Sequence, residues 1–311
     1  MSYYISVAVT IVGNIIAVLG LVLLTGFTGM FSMGHAAFMT IGAYSSVLLN
    51  RYLAFPYPLA VFSGGVIALI FGAAIGFAPL RNKVRGDTFA ICTLGFGTVI
   101  RLLISNLNNN VIRGATGISS IPKLTTLANS LVILVIMTYL MWNFVRSQYG
   151  KNCVAVQQQE IAAEMMGVSI FRAKMLSLVI SAFYCGVSGA QLVFWLQFVS
   201  PSSFADTRSS NLVSTLVTGG INSVTGPVVA ATLFSSLLET LRIFSNWRLV
   251  IYGLLLILIM RFRPEGLMGY KEFSIKWFVT TMKNLPQTLK NFPEYIKGLM
   301  RRGRGGENNA G

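Results

Sequence analysis

Charged and metal-binding residues are scarce in this chain of 311 residues. Only 11% of the residues are charged, 9 are Asp or Glu, 3 are Cys and 1 is His. A soluble domain carries about 25% charged residues, so the composition excludes an ordinary cytosolic enzyme and a disordered chain. The three cysteines are widely spaced and form no CxxC pair, so we expect neither a disulfide framework nor a metal site. Because no GxxxxGK[ST] phosphate loop occurs, we expect no ATP hydrolysis and no cofactor in this chain.

Long apolar runs are what the sequence does contain. Hydrophobic residues make up 54% of the chain, and the mean hydropathy is +0.68. A transmembrane helix needs about 20 mostly apolar residues. The sequence therefore predicts an all-α integral membrane protein with about nine membrane segments (eight to ten), some of them broken or short. The predicted segments are residues 5–24, 32–49, 57–80, 88–104, 127–145, 175–198, 211–218, 227–241 and 249–260.

Positive charge is concentrated between and after these runs. The chain has 24 Lys or Arg against 9 Asp or Glu, and the basic residues cluster at 81–85, at 146–174 and after residue 260. The positive-inside rule places such segments in the cytoplasm, so nucleic acid is not the expected partner. This orientation puts the N-terminus outside and the C-terminus in the cytoplasm. We expect two domains, a transmembrane permease domain (1–268) and a basic tail (269–311) that lies on membrane lipids or is disordered.

Acidic residues are almost absent from the apolar runs, where only Glu239 occurs. A proton-coupled pump needs several buried carboxylates, so this class is disfavoured. Glycine-rich breaks at 26–35 and 218–227 combine polar groups with backbone that can unwind, which is tolerated at membrane depth only inside protein or along a cavity. For His35, the single histidine, structural hydrogen bonding is favoured over lining a pathway, and catalysis is disfavoured because no acid is near it in the sequence.

A helix in the cytoplasmic segment between the fifth and sixth runs is predicted over residues 155–166, which contain no Pro or Gly. Gly167 is placed to end this helix, and Ser169 or a neighbour to begin the next. Ala162, Met165, Met166 and Val168 offer an apolar surface that a partner could cover.

Seven motifs along the chain resemble those of the branched-chain amino acid ABC transporter permeases of the LivM type. They occur in the family's order over about residues 10–268. The motifs are residues 28–44, 85–97, 114–122, 160–167 with Lys174, 200–204, 219–227 and 263–267.

The resemblance implies one of two related permease subunits of an ATP-driven importer in the inner or plasma membrane of a bacterium or archaeon. Its expected partners are a homologous LivH-type permease, two ATP-binding subunits that hydrolyse ATP, and an external binding protein that delivers branched-chain or other small amino acids. Residues 160–167 match the family's coupling helix, with Glu160, Ala162, Ala163, Glu164 and Gly167. As a hypothesis, the substrate pathway is lined by Ser32, His35, Thr93 and Asn222.

Other functions remain open at this point. A permease for urea or short amides would have a similar sequence. A stand-alone secondary carrier would work without ATPases, and the coupling helix argues against it. A membrane-embedded enzyme would need a cluster of ionisable residues at one depth, which the sequence does not show.

Overall fold

All regular secondary structure in the described residues is helical, as expected. A computed structural model describes residues 2–82, 84, 86–107, 112–221, 223–240, 248–262 and 266. A π-helical turn, Val22–Gly26, extends the first helix, and short 3-10 helices cover Gly114–Thr116 and Pro201–Phe204. The α-helices are α1 (Ser2–Leu21), α2 (His35–Leu53), α3 (Tyr57–Arg81), α4 (Gly86–Asn106), α5 (Leu127–Arg146), α6 (Gln148–Gln158), α7 (Glu160–Met165), α8 (Ile170–Leu196), α9 (Asp206–Gly219), α10 (Thr225–Thr240) and α11 (Arg248–Phe262).

Several of these helices are membrane spans by length and composition. Among the described residues, five helices are long and apolar enough to cross a bilayer, namely Tyr3–Gly26, Tyr57–Arg81, Gly86–Asn106, Leu127–Arg146 and Ile170–Leu196. The chain is therefore a multi-pass membrane protein. Each of the nine segments expected from the sequence overlaps a helix, but α2, α9, α10 and α11 are shorter or less apolar. The number of crossings stays a prediction.

Helix α8 lies at the centre of the packing, against α1, α2 and α3. Its glycines let the backbones approach closely, because a side chain there would meet the next helix. A Cβ atom on Gly189 would lie 2.7 Å from the carbonyl carbon of Met39 in α2. One on Gly42 in α2 would lie 2.6 Å from the carbonyl carbon of Gly186. These contacts make α2 and α8 a tightly packed pair.

Helices α4 and α5 present apolar side chains on the outside of the bundle. Val99 and Leu103 of α4 are more than half exposed, and so are Val132 and Val135 of α5. Such a surface is stable against lipid tails or a second membrane subunit, but not against water. The outer layer of the fold is thus built for a membrane environment.

The segment between α5 and α8 differs from the single helix expected over 155–166. Gln159 is extended (φ −161°, ψ 112°) and separates α6 from α7. The break lets Ala163 of α7 pack into a small buried cluster with Cys153 and Val156 of α6 and Ala173 of α8. The expectation was wrong because helix propensity is a weak signal that packing overrides. The predicted end is confirmed, since Gly167 has a positive φ of 83° and its N–H donates to the Glu164 carbonyl.

Some sequence predictions concern residues that lie outside the described part of the chain. These are the basic tail at 269–311, Asn222, and Lys83 and Arg85 of the first basic cluster, at 81–85.

Candidate functional site

Three of the four predicted pathway residues, Ser32, His35 and Thr93, lie close together around the unwound segment 27–34. This segment joins the π-helical end of α1 to the first residue of α2. All three side chains are buried, with at most 1% of their surface exposed. The fourth, Asn222, is outside the described residues, although its neighbour Ile221 is within them.

Side chains from other helices satisfy the backbone of this unwound segment. The N–H of Met33 donates to Thr93 Oγ1 (3.1 Å), and the N–H of Ala36 donates to Ser209 Oγ of α9 (2.8 Å). His35 Nε2 shares a hydrogen bond of 3.0 Å with Ser181 Oγ of α8. Unwound backbone needs such partners at membrane depth. In this conformation the predicted pathway residues hold the segment in place rather than face open space.

The two glycine-rich breaks singled out from the sequence meet in space. A Cβ atom on Gly26 would collide with the carbonyl oxygen of Ile221, which belongs to the second break. Gly266, from the last of the seven motifs, lies against the same break, since its Cβ would be 2.6 Å from the Cα of Gly220. The two glycine-rich breaks and the last motif, which are far apart in the sequence, therefore converge at the end of the first span.

The segment around α7 forms an exposed apolar surface, which we call the docking surface. It consists of Ile161, Met165 and Met166, which are 73%, 84% and 84% exposed. Beneath it, Glu160 forms an ion pair with Lys174 of α8. The N–H of Val168 donates to the Ala163 carbonyl, which with the bond from Gly167 completes a Schellman C-cap. The short helix is therefore fixed in orientation while its apolar side chains stay uncovered.

Helix α6 links this surface to the unwound segment. A Cβ atom on Gly29 would lie 3.3 Å from Gln157 Cγ. Burial raises the pKa of the Cys153 thiol, and a hydrogen bond with the Thr28 side chain lowers it by less. These contacts place α6 directly against residues 28–29.

Charged residues at the start of α9 are a feature that the sequence reasoning missed. Asp206 forms an ion pair with Arg101 of α4 (3.0 Å), and Arg208 Nη2 donates to Asn14 Oδ1 of α1 (2.8 Å). Asn14 Nδ2 in turn donates to Ser235 Oγ of α10 (3.0 Å). One sign of this network was present in the sequence, namely the amide of Asn14 in the mostly apolar first run. Polar groups inside a span are costly and usually functional.

A cavity of about 270 Å³ lies beside this network, between α1, α9, α10 and α11. Asn14, Arg208 and Ser235 line it, together with Asn211, Glu239 and Tyr252. Tyr3 Oη donates to Glu239 Oε1 (3.1 Å). Within the described part of the chain, no three His, Cys, Asp or Glu side chains come together to hold a metal ion.

Unwound segments and polar groups inside a multi-pass helical bundle are typical of membrane transport subunits. The family described as "Branched-chain amino acid transport system / permease component" matches residues 3–260, and the chain belongs to that family. It is accordingly a permease subunit and not an enzyme.

Curated relatives agree with this assignment. The high-affinity branched-chain amino acid permease protein LivM of Escherichia coli K12 is 31% identical, over 84% of this chain and 69% of the relative. The permease protein LivH of Salmonella typhimurium is 23% identical, over 82% and 90%. The nucleoside ABC transporter permease protein NupB of Lactococcus lactis is 26% identical, over 73% and 71%. No solved structure matches the chain.

Proposed function

We propose that this chain forms half of the translocation path of an ATP-driven importer for branched-chain or other small amino acids. Its partners are a LivH-type permease, two ATP-binding subunits that hydrolyse ATP, and an external solute-binding protein. The match to the family and the similarity to both LivM and LivH support this proposal. The complex resides in the inner or plasma membrane of a bacterium or archaeon, in contact with membrane lipids.

The proposed topology has nine membrane segments, with the N-terminus outside and the basic C-terminus in the cytoplasm. The permease domain covers residues 1–268 and the tail residues 269–311. The contact between Gly29 and Gln157 supports this arrangement, because it brings the end of the first span to the side of α6. The basic residues of the loops before α4 and before α8 belong to the same side under the positive-inside rule.

The exposed docking surface is the observation that carries the proposed coupling to ATP hydrolysis. Large apolar side chains that are more than 70% exposed on a water-facing helix favour a protein partner. We propose that Glu160, Ala162, Ala163, Glu164 and Gly167 form the coupling helix beneath an ATP-binding subunit. Motion of that subunit would reach α8 through the Glu160–Lys174 ion pair and the unwound segment through α6.

The predicted pathway residues also remain a proposal. Ser32, His35 and Thr93 are buried here, so they would line the path only when the unwound segment separates from α4. Asn222 belongs to the break that touches the same region. We expect Ala substitution of each of the four to lower uptake in an assembled complex, and normal uptake in all four variants would contradict the proposal.

The test of the proposed function is co-purification in mild detergent, with mass spectrometry of the bound proteins. Wild-type protein should retain a second permease and ATP-binding subunits. Met165→Glu should lose the ATP-binding subunits but keep the permease. The matched control is Tyr52→Glu, which changes a 60% exposed side chain at the far end of α2. If the wild-type chain purifies alone, a stand-alone carrier becomes the better interpretation.

The solute is then identified by uptake into proteoliposomes that contain the complex and its binding protein. Because NupB is a nucleoside permease, radiolabelled leucine, urea and a nucleoside should be compared directly. Selective uptake of leucine supports the proposal, and uptake of urea or nucleoside alone refutes the amino acid assignment.

A further inference from the structure

We infer that the cavity beside α9 binds the carboxylate group of the transported solute through Arg208. The inference rests on the proposed import of amino acids and names where, and by which group, the permease itself contacts them.

The position of Arg208 in the bundle is the first argument. It is held by Asn14, which lies about half-way along the first span, Tyr3–Gly26. At a rise of about 1.5 Å per residue, Asn14 is roughly 17 Å from either end of that span. Helix α9 thus begins deep in the bundle, and its first turn carries the cation of Arg208 to that depth. Intramembrane charges of this kind commonly mark substrate or ion pathways.

The charge balance around Arg208 is the second argument. Its guanidinium donates a hydrogen bond to the neutral amide of Asn14 and lies 5.6 Å from the ring centre of Phe204. The nearby carboxylate of Asp206 is paired with Arg101 instead. Arg208 Nε is buried and makes no hydrogen bond within the described residues. A guanidinium presents donors in a fork that fits a carboxylate, so the site favours an anionic oxygen ligand.

The cavity provides the space for such a ligand. Its volume of about 270 Å³ lies just below the range of about 300–1,000 Å³ found for drug-sized ligands, so it suits a small solute. Asn211 and Ser235 add uncharged polar groups to the wall, and Glu239 adds negative charge. Ser235 and Glu239 are four residues apart on α10, so both lie on the face towards the cavity. A zwitterion with one carboxylate and one ammonium group matches this mixed lining better than a neutral sugar or nucleoside does.

An anionic lipid headgroup carries the same oxygen chemistry as a carboxylate and could also reach Arg208. The experiment therefore uses both ligands. Purified complex in detergent is treated with phenylglyoxal, which modifies arginine, and the extent of modification at Arg208 is read by mass spectrometry. The treatment is repeated with leucine, with leucinamide, which lacks the carboxylate, and with phosphatidylglycerol. Exposed Arg113 serves as the internal control within the same sample.

The expected result is that leucine protects Arg208 at least several-fold, that leucinamide and phosphatidylglycerol do not, and that Arg113 is equally modified throughout. Protection by phosphatidylglycerol alone would overturn the inference and assign the site to a lipid. Equal modification of Arg208 under all conditions would also overturn it, and would leave Arg208 as a structural residue.

Uptake measurements provide the second readout. Arg208→Gln removes charged hydrogen bonds to the solute and should lower leucine uptake by about tenfold or more. Arg208→Lys keeps the positive charge and should lower uptake by less. Arg113→Gln is the matched control and should transport normally. The amount of co-purified partner subunits shows whether each variant is assembled. Normal uptake by an assembled Arg208→Gln complex would refute the inference and leave the importer assignment intact. Purification of the wild-type chain without partner subunits would instead refute the proposed function itself.

Discussion

The contact between α2 and α8 can be tested with a single added methyl group. In Gly189→Ala, the new carbon would lie 2.7 and 2.8 Å from the carbonyl carbon and Cα of Met39, and closer still to its oxygen. Backbone atoms cannot rotate away as a side chain can. The two helices would therefore have to separate by about 1 Å. At that distance the contacts between α2 and α8 would lose about a quarter to a half of their dispersion energy. We expect a destabilisation of about 1–3 kcal/mol from overpacking, offset by up to about 1 kcal/mol from the better helix propensity of Ala.

The matched control for this change is Gly95→Ala in α4. A Cβ atom at Gly95 would meet nothing within 4 Å, so only the helix propensity changes and stability should be unchanged or slightly higher. Both variants are unfolded by titration with denaturing detergent, followed by circular dichroism. Gly189→Ala should unfold at a lower detergent fraction than the wild type. If the two variants unfold together, the close packing of α2 on α8 described here is refuted.

Three further predictions concern the segment between α5 and α8 and the start of α9. Gly167 has φ 83°, and an added Cβ would have no atom within 4 Å, so Gly167→Ala should destabilise the C-terminal end of α7 by about 1–2 kcal/mol through backbone conformation alone. Amide hydrogen exchange in α7 should then be faster, and unchanged exchange would contradict the prediction. Burial raises the pKa of Cys153, so less thiolate is present near neutral pH, and alkylation of Cys153 measured by mass spectrometry should be slow and should speed up as the pH rises. A cysteine introduced by Tyr149→Cys, at an exposed position, should react readily. Equal alkylation rates at the two positions would refute the prediction. Asp206→Asn should lower uptake, because it removes the ion-pair partner of Arg101. The double variant Arg101→Asp/Asp206→Arg, in which the two charges are swapped, should recover part of the uptake. No recovery would show that uptake does not depend on this ion pair.

Much of the fold was predictable because the bilayer imposes a simple rule on the sequence. Segments of mostly apolar residues must be helical in lipid, and each predicted segment overlaps a helix. The end of α7 was also predictable from the glycine at position 167, which adopts the positive φ that a Schellman cap requires. The break at Gln159 was not predictable from helix propensity, because its cause is the packing of Ala163 against Cys153 and Ala173 on two neighbouring helices.

The candidate site was predictable only where it is carried by motifs. Ser32, His35 and Thr93 lie in two of the motifs that resemble the family, and the structure places all three around the unwound segment, although their role in a pathway stays a prediction. The pairing of Arg208 with Asn14 spans 194 residues, so no local pattern reveals it. Hydrophobic periodicity describes which face is buried, but not which polar groups meet inside a bundle.

The length of α8 has a mechanical consequence. Its 27 residues extend for about 40 Å as one unbroken helix, with the Lys174 ion pair near one end and the close glycine contacts further along. Such a helix behaves as a lever. A tilt of about 5° imposed at the α7 end would move the opposite end by about 3.5 Å for a rod of this length. Just beyond that end, Val199 pairs with Ile118 of the loop before α5, so a small push on one side of the membrane would displace a loop on the other.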